Sequence, residues 1–188
     1  LVRANCYQAN QACEGELVDP AVPYKAVFQS NSWFTGRTED YEIDTAQFDD
    51  ILFEYDILVC QAQGNEGASA NPRESGRQAW GKNVVSVGGV HHENSLNKSD
   101  DAWNGTGAGS IGPAPDGRVK PDLTHFYDNI LTTDINFSYV ADPPGFGGTS
   151  AATPITCGLF GLFFQMWHEG VIPGHGGGAS VFASRPHM

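Results

Sequence analysis

Basic side chains are scarce. Lys and Arg number 10 against 22 Asp and Glu, a formal net charge of −12, so nucleic acid and anionic lipid surfaces are repelled rather than bound. Charged residues of both signs together reach only 17%, low for a small isolated domain. No apolar run approaches the ~18 residues a membrane-spanning helix needs. Cysteine is thin, with four in 188 residues, which excludes a disulfide-dependent fold. Cys6 and Cys13 are close enough for a small loop disulfide, whereas Cys60 and Cys157 sit in apolar contexts that suit buried free thiols and a bridge equally. An EF-hand loop is missing, as is any internal repeat. Leu1-Val2-Arg3-Ala4 is not a signal peptide and has no initiator Met. Both ends therefore read as cuts, and the lack of a targeting segment carries little weight. The acidic, lysine-poor balance leans toward a secreted or extracellular setting, and the acceptor tripeptides at Asn97, Asn104 and Asn136 matter only on a secretory route.

What is present is enough apolar residue for a core, 40%, and 23 glycines for tight turns and close backbone approaches. Residues 1–23 show no period and read as loop. Residues 24–30 read as a short strand. Asp44 is a good cap for a helix over 45–55, where Phe48, Ile51, Leu52 and Tyr55 recur at helical spacing. The apolar run 57–62 reads as a central strand, 64–82 as a long glycine-rich loop and 83–90 as a second buried strand. Residues 91–115 lack a period, and 118–133 hold short extended pieces. A glycine turn at 145–148 leads into a helix from Thr149 to about His168, with Pro154 expected within the tolerance of its first turn. The tail 174–178 reads as flexible. This order predicts an α/β layer fold with a mostly parallel sheet. The short elements place part of that sheet outside this chain.

Two segments carry chemistry. In Gly147-Gly148-Thr149-Ser150-Ala151-Ala152-Thr153-Pro154 a serine opens a helix after a glycine turn. Its hydroxyl can project into a cleft, and the helix amino end offers partial positive charge to an oxyanion. The commoner use of Ser or Thr there is simply to cap the helix. In Gln63-Gly64-Asn65-Glu66-Gly67 a carboxamide follows a buried strand and can donate into a cleft. An ordinary asparagine turn is again the commoner use.

Taken in chain order, these two segments and Gly117-Arg118-Val119-Lys120-Pro121-Asp122 resemble three signature blocks of the subtilisin-like serine peptidases. Residues 83–90 resemble the family strand after the oxyanion loop, and Asn31-Ser32-Trp33 the segment lining the substrate cleft. The similarity covers about 24–168. Sedolisins fit less well, because they place an aspartate where Asn65 stands, and the G-x-S-x-G elbow of α/β-hydrolases is absent.

The resemblance implies a three-layer subtilisin-like fold, incomplete in this chain. Residues 1–188 would form a partial peptidase domain with its core at about 24–168. By the same resemblance Ser150 is the nucleophile and Asn65 the oxyanion donor. Ser32, Trp33, Phe34 and Gly64 border the substrate, while Lys120, Pro121 and Asp122 are architectural. Family members present an aspartate and then a histidine before the serine. Only 23 residues precede the matching segment here. They hold no histidine, and Asp19 lacks the motif. His91, His92, His125, His168, His175 and His187 all follow Asn65, and none takes the base position. The expected partners are thus a polypeptide substrate and a missing upstream segment or companion chain carrying the Asp and His. The parent is read as a serine endopeptidase, with the isolated chain inactive or nearly so. The alternative is a non-catalytic peptide-binding or interaction module on the same fold. No cofactor is required for the chemistry. Structural calcium is compatible with the family, but no ligand is assigned. Two departures bear on specificity: Phe34 stands where relatives have glycine, and His125-Phe126-Tyr127 replaces alanine-proline-glycine.

Overall fold

The computed structural model describes residues 26–102, 108–133, 139–140 and 145–172. The expected loop 1–23, the Cys6/Cys13 pair and the 174–178 tail lie outside them.

Strands β1 (Phe28–Asn31), β3 (Leu58–Ala62), β5 (Val85–Val90) and β6 (Leu123–Phe126) form one sheet in the order β1-β3-β5-β6, every pairing parallel. Two short antiparallel ladders flank it. One joins β2 (Arg37–Thr38) to β4 (Ser75–Gly76), the other β7 (Thr132–Thr133) to β8 (Tyr139–Val140). Helix α1 (Ile43–Tyr55) crosses from β1 to β3, and α2 (Thr149–His168) packs against all four strands of the main sheet.

Strand alternation explains the layering. Successive side chains of β3 point to opposite faces. Val59 joins Phe48, Leu52, Ile57 and Val84 under α1, while Cys60 joins Val87, Ala152 and Cys157 under α2. Two cores on two faces make a helix–sheet–helix sandwich, and all five residues of β3 are buried. That is why the run reads as uninterrupted apolar sequence rather than an alternating one. Each fully buried Phe, Leu or Val contributes roughly 1.5–3 kcal/mol.

The α1 boundary differs from expectation. Asp44 lies inside the helix, where its carboxylate pairs with Arg77 at 2.9 Å. The cap is Glu42, whose N–H donates to the Thr45 hydroxyl at 3.3 Å. The helix ends on Asp56 in the left-handed region, which turns the chain directly into β3. The stretch 64–82 is also not all loop. It contains β4 and a single 3-10 turn, Arg77–Trp80, that buries Trp80 completely. An Nε1–H bond to the Thr38 carbonyl satisfies the indole.

Candidate active site

All four parallel strands end on the same edge, and the segments singled out from sequence leave the sheet there. Asn65 follows β3, Ser32 follows β1, and the turn before α2 lies beside the end of β6.

The start of α2 is held at three consecutive residues. Gly148 has φ 92°, a conformation that excludes most side chains. A Cβ on it would stand 3.2 Å from Asn65 Oδ1. Its N–H donates to the Tyr127 carbonyl at 2.8 Å. Thr149 is fully buried, and its N–H donates to Asn65 Oδ1 at 2.9 Å. The Thr149 hydroxyl accepts from the Gly64 N–H at 3.2 Å and directs its proton to Asn65 Oδ1 (3.0 Å) or the Gly64 carbonyl (3.2 Å).

A backbone N–H can only donate, so the bond from Thr149 fixes which end of the Asn65 amide is oxygen. The Nδ2 end then has no partner among the described residues, and Asn65 is exposed. At the second position of α2, the Ser150 N–H is one of the amides a helix start leaves unbonded. No described residue accepts from it. Two donors, Asn65 Nδ2 and the Ser150 N–H, are thus left without a described partner on residues bonded to or next to Thr149, and the Ser150 side chain is half-buried.

Pro154 is the sixth residue of α2, beyond the first turn, so its missing N–H leaves the Ser150 carbonyl without its helical donor. Ser32 supplies one. Its hydroxyl donates to the Ser150 carbonyl at 2.9 Å, and Ser150 Oγ donates to the Ser32 carbonyl at 3.3 Å. Ser32, Asn65 and Ser150 are therefore brought together through direct bonds or the adjoining Thr149.

The other expected contact residues sit differently. Both peptide groups of Gly64 are taken up internally, its N–H by Thr149 and its carbonyl by the Ser110 N–H at 2.8 Å. The Trp33 carbonyl accepts from Gln61 Nε2. Phe34 lies against Gly76, where an added Cβ would stand 2.7 Å from its ring. The Arg37 guanidinium is 5.7 Å from the Phe34 ring centre and pairs with Glu66 at 2.9 Å. Sequence reasoning missed Thr149 as the clamp on Asn65. It also missed Ser110, whose hydroxyl accepts from the Glu66 N–H at 3.0 Å and donates to the Glu74 carbonyl at 2.8 Å. The glycine-threonine-serine block was a signal for Thr149; Ser110 lies in an aperiodic stretch that offered none.

No described histidine bonds to Ser150. His92 is held by Asp128, with Nδ1 2.8 Å from Oδ1, and His91 Nδ1 lies 4.0 Å from Oδ2 of the same carboxylate. His175 and His187 are outside the described residues. Burial disfavours the Asp128 charge, but bonds from the His92 N–H and ring outweigh it and hold the carboxyl below its ordinary range. Burial lowers His125, with the neighbouring His92 adding to the effect. Lys120, Pro121 and Asp122 are structural. Lys120 Nζ is buried and donates to the Val84 carbonyl at 3.0 Å and to Asp122 at 2.6 Å. Tyr127 is accommodated because Gly89 has no Cβ to collide with its ring. Among the described residues no group of three or more His, Cys, Asp or Glu could hold a metal ion, and no helix is long and apolar enough to cross a membrane.

Comparison with known proteins bears on this geometry. The model of the subtilase family matches residues 8–171. No curated protein sequence matches. Among solved structures, the prenylagaramide maturation protease PagA superposes with a TM-score of 0.58 at 20% identity, over 83% of this chain and 48% of that one. A structure of subtilase cytotoxin SubAB assembly gives 0.56 at 15%, over 79% and 48%. Sphericase gives 0.56 at 18%, over 79% and 46%. The chain thus spans about half the length of each of these structures.

Proposed function

The chain belongs to the subtilase family, and on that premise we propose that it supplies the nucleophile and oxyanion half of a serine endopeptidase. Ser150 Oγ attacks the peptide carbonyl and forms an acyl-enzyme, expelling the amine. Asn65 Nδ2 and the Ser150 N–H donate to the oxygen as negative charge develops. The observation that carries this reading is the Asn65 amide, pinned by its oxygen to Thr149, the residue before Ser150, with its nitrogen left without a described partner.

A serine hydroxyl needs a neighbouring base. At present its proton goes to the Ser32 carbonyl, which cannot act as one. The family's chain order of aspartate, histidine and serine supports a histidine and aspartate supplied by an upstream segment or a companion chain, with a polypeptide as substrate. An extracellular setting fits the acidic composition. The chemistry uses no metal-held group. Calcium, where bound, would be structural.

The bond from Ser150 to a backbone carbonyl, rather than to a base, also favours a second reading: a peptide-binding module that retains the cleft without the chemistry. Fluorophosphonate labelling of the parent protein separates the two. The enzyme reading expects labelling that vanishes in Ser150→Ala and is weak on the isolated chain. No labelling of the folded parent, or equal labelling of the variant, supports the binding module instead. In subtilisin, a member of this family, loss of the oxyanion asparagine lowers kcat by roughly 10²–10³-fold. That magnitude is carried over to Asn65→Leu, whose KM should change little.

A further inference from the structure

The chemistry proposed above leaves two thiols unused. Cys60 on β3 and Cys157 on α2 are both free and buried, at 0% and 2% exposure. They meet in one apolar cluster with Val87 and Ala152, enclosed by Phe28, Val85 and Phe160. Val85 stands beside Cys60 in the parallel register of β3 and β5 and packs against the cluster that holds Cys157. Cys157 therefore sits in the same small buried cluster as Cys60, on the face of the sheet that α2 covers. A single buried cysteine behaves as a small apolar side chain. Two in one cluster on different elements are one two-electron oxidation away from a covalent bond between those elements.

We propose that Cys60 and Cys157 are a redox-convertible cross-link between β3 and α2, closed by exchange with a small-molecule disulfide. One cysteine thiolate attacks a sulfur of the reagent, and the other half leaves as a thiolate that takes up a proton. The second cysteine thiolate then attacks the protein sulfur of this mixed disulfide and expels the remaining half. Two cysteine thiols and one small disulfide become one protein disulfide and two small thiols. The protein loses two electrons and the reagent gains them. Both thiols are buried, so the reagent reaches neither in the closed native state and the pair reacts slowly. Exchange runs when α2 lifts from the sheet or while the core is closing. The proposal does not depend on the roles of Asn65 and Ser150.

The test uses the purified protein with Cys6→Ser and Cys13→Ser, incubated with oxidised glutathione in dilute urea, quenched in acid, alkylated in denaturant and mapped without reduction. The expected result is a linked peptide joining Cys60 to Cys157 that disappears with dithiothreitol. The urea midpoint should rise on oxidation and return on reduction. Recovery of both cysteines in alkylated form overturns the proposal, as does a lasting glutathione adduct on one of them without a linked peptide. Cys60→Ala should abolish the redox dependence of the midpoint, and a midpoint that still responds to the oxidant overturns the assignment. The linked peptide is read with both cysteines in place, so it stands even where Cys60→Ala does not fold.

Discussion

At the scale of single residues, the proposed site depends on a threonine that touches no substrate. Thr149 is buried and bonds to both Gly64 and Asn65. Thr149→Val keeps the shape and the backbone bond but leaves the Gly64 N–H buried without a partner, which costs about 1–3 kcal/mol. Urea unfolding should show that loss, and activity in the parent should fall through kcat as the Asn65 amide loosens. Asp128 sets a pH dependence. Its folded pKa is below the ordinary carboxylate value, its burial outweighed by the bonds from His92. The resulting stability is complete above the unfolded carboxylate pKa and is lost as pH falls through the folded one. Asp128→Asn should remove that acid-side slope from a plot of urea midpoint against pH. Asn65 and Ser150 were legible because they sit in compact motifs. Ser110 was not, because a hydroxyl that props a loop 44 residues away leaves no local pattern.

At the scale of elements, β5 and β6 are joined by more than their ladder. The Asp122 carboxylate accepts from the Ser86 N–H at 2.8 Å and its hydroxyl at 2.9 Å, while pairing with buried Lys120. Asp122→Asn leaves a buried ammonium facing a neutral amide. The expected loss is about 3 kcal/mol, the low end for a broken buried pair because Asp122 keeps partial solvent contact. Chemical denaturation measures it directly, and Lys120→Met in the same background should recover part of it. Element positions were read well from sequence where periodicity was unopposed, as in α2, which spans Thr149–His168 as expected. The start of α1 was missed because two side-chain choices compete. Asp44 has the better capping chemistry, but Arg77 draws its carboxylate into an ion pair and Thr45 serves Glu42 instead. The 3-10 turn at 77–80 escaped because Gly76 and Gly81 bound it and Pro72 precedes it, and only the burial of Trp80 gives it away.

At the scale of the whole molecule, the parallel sheet and its two-sided core follow from runs such as 57–62, whose unbroken apolar character demands cover on both faces. Strand order could not be read that way, since which strands become neighbours is decided by crossovers rather than by local pattern. Segments past three of the four sheet strands bond to three consecutive residues at the start of α2, its cap Gly148 included. Ser32, past the end of β1, reaches Ser150; Gly64 and Asn65, past β3, reach Thr149; Tyr127, past β6, reaches Gly148. The first turn of that helix is thus braced like the hub of a wheel, and no one spoke can detach without unseating it. Amide protons of Gly148 and Thr149 should then exchange with deuterium only at the rate of global opening, matching the slowest amides of β3 and β5. Faster exchange confined to this turn would show that the hub loosens by itself.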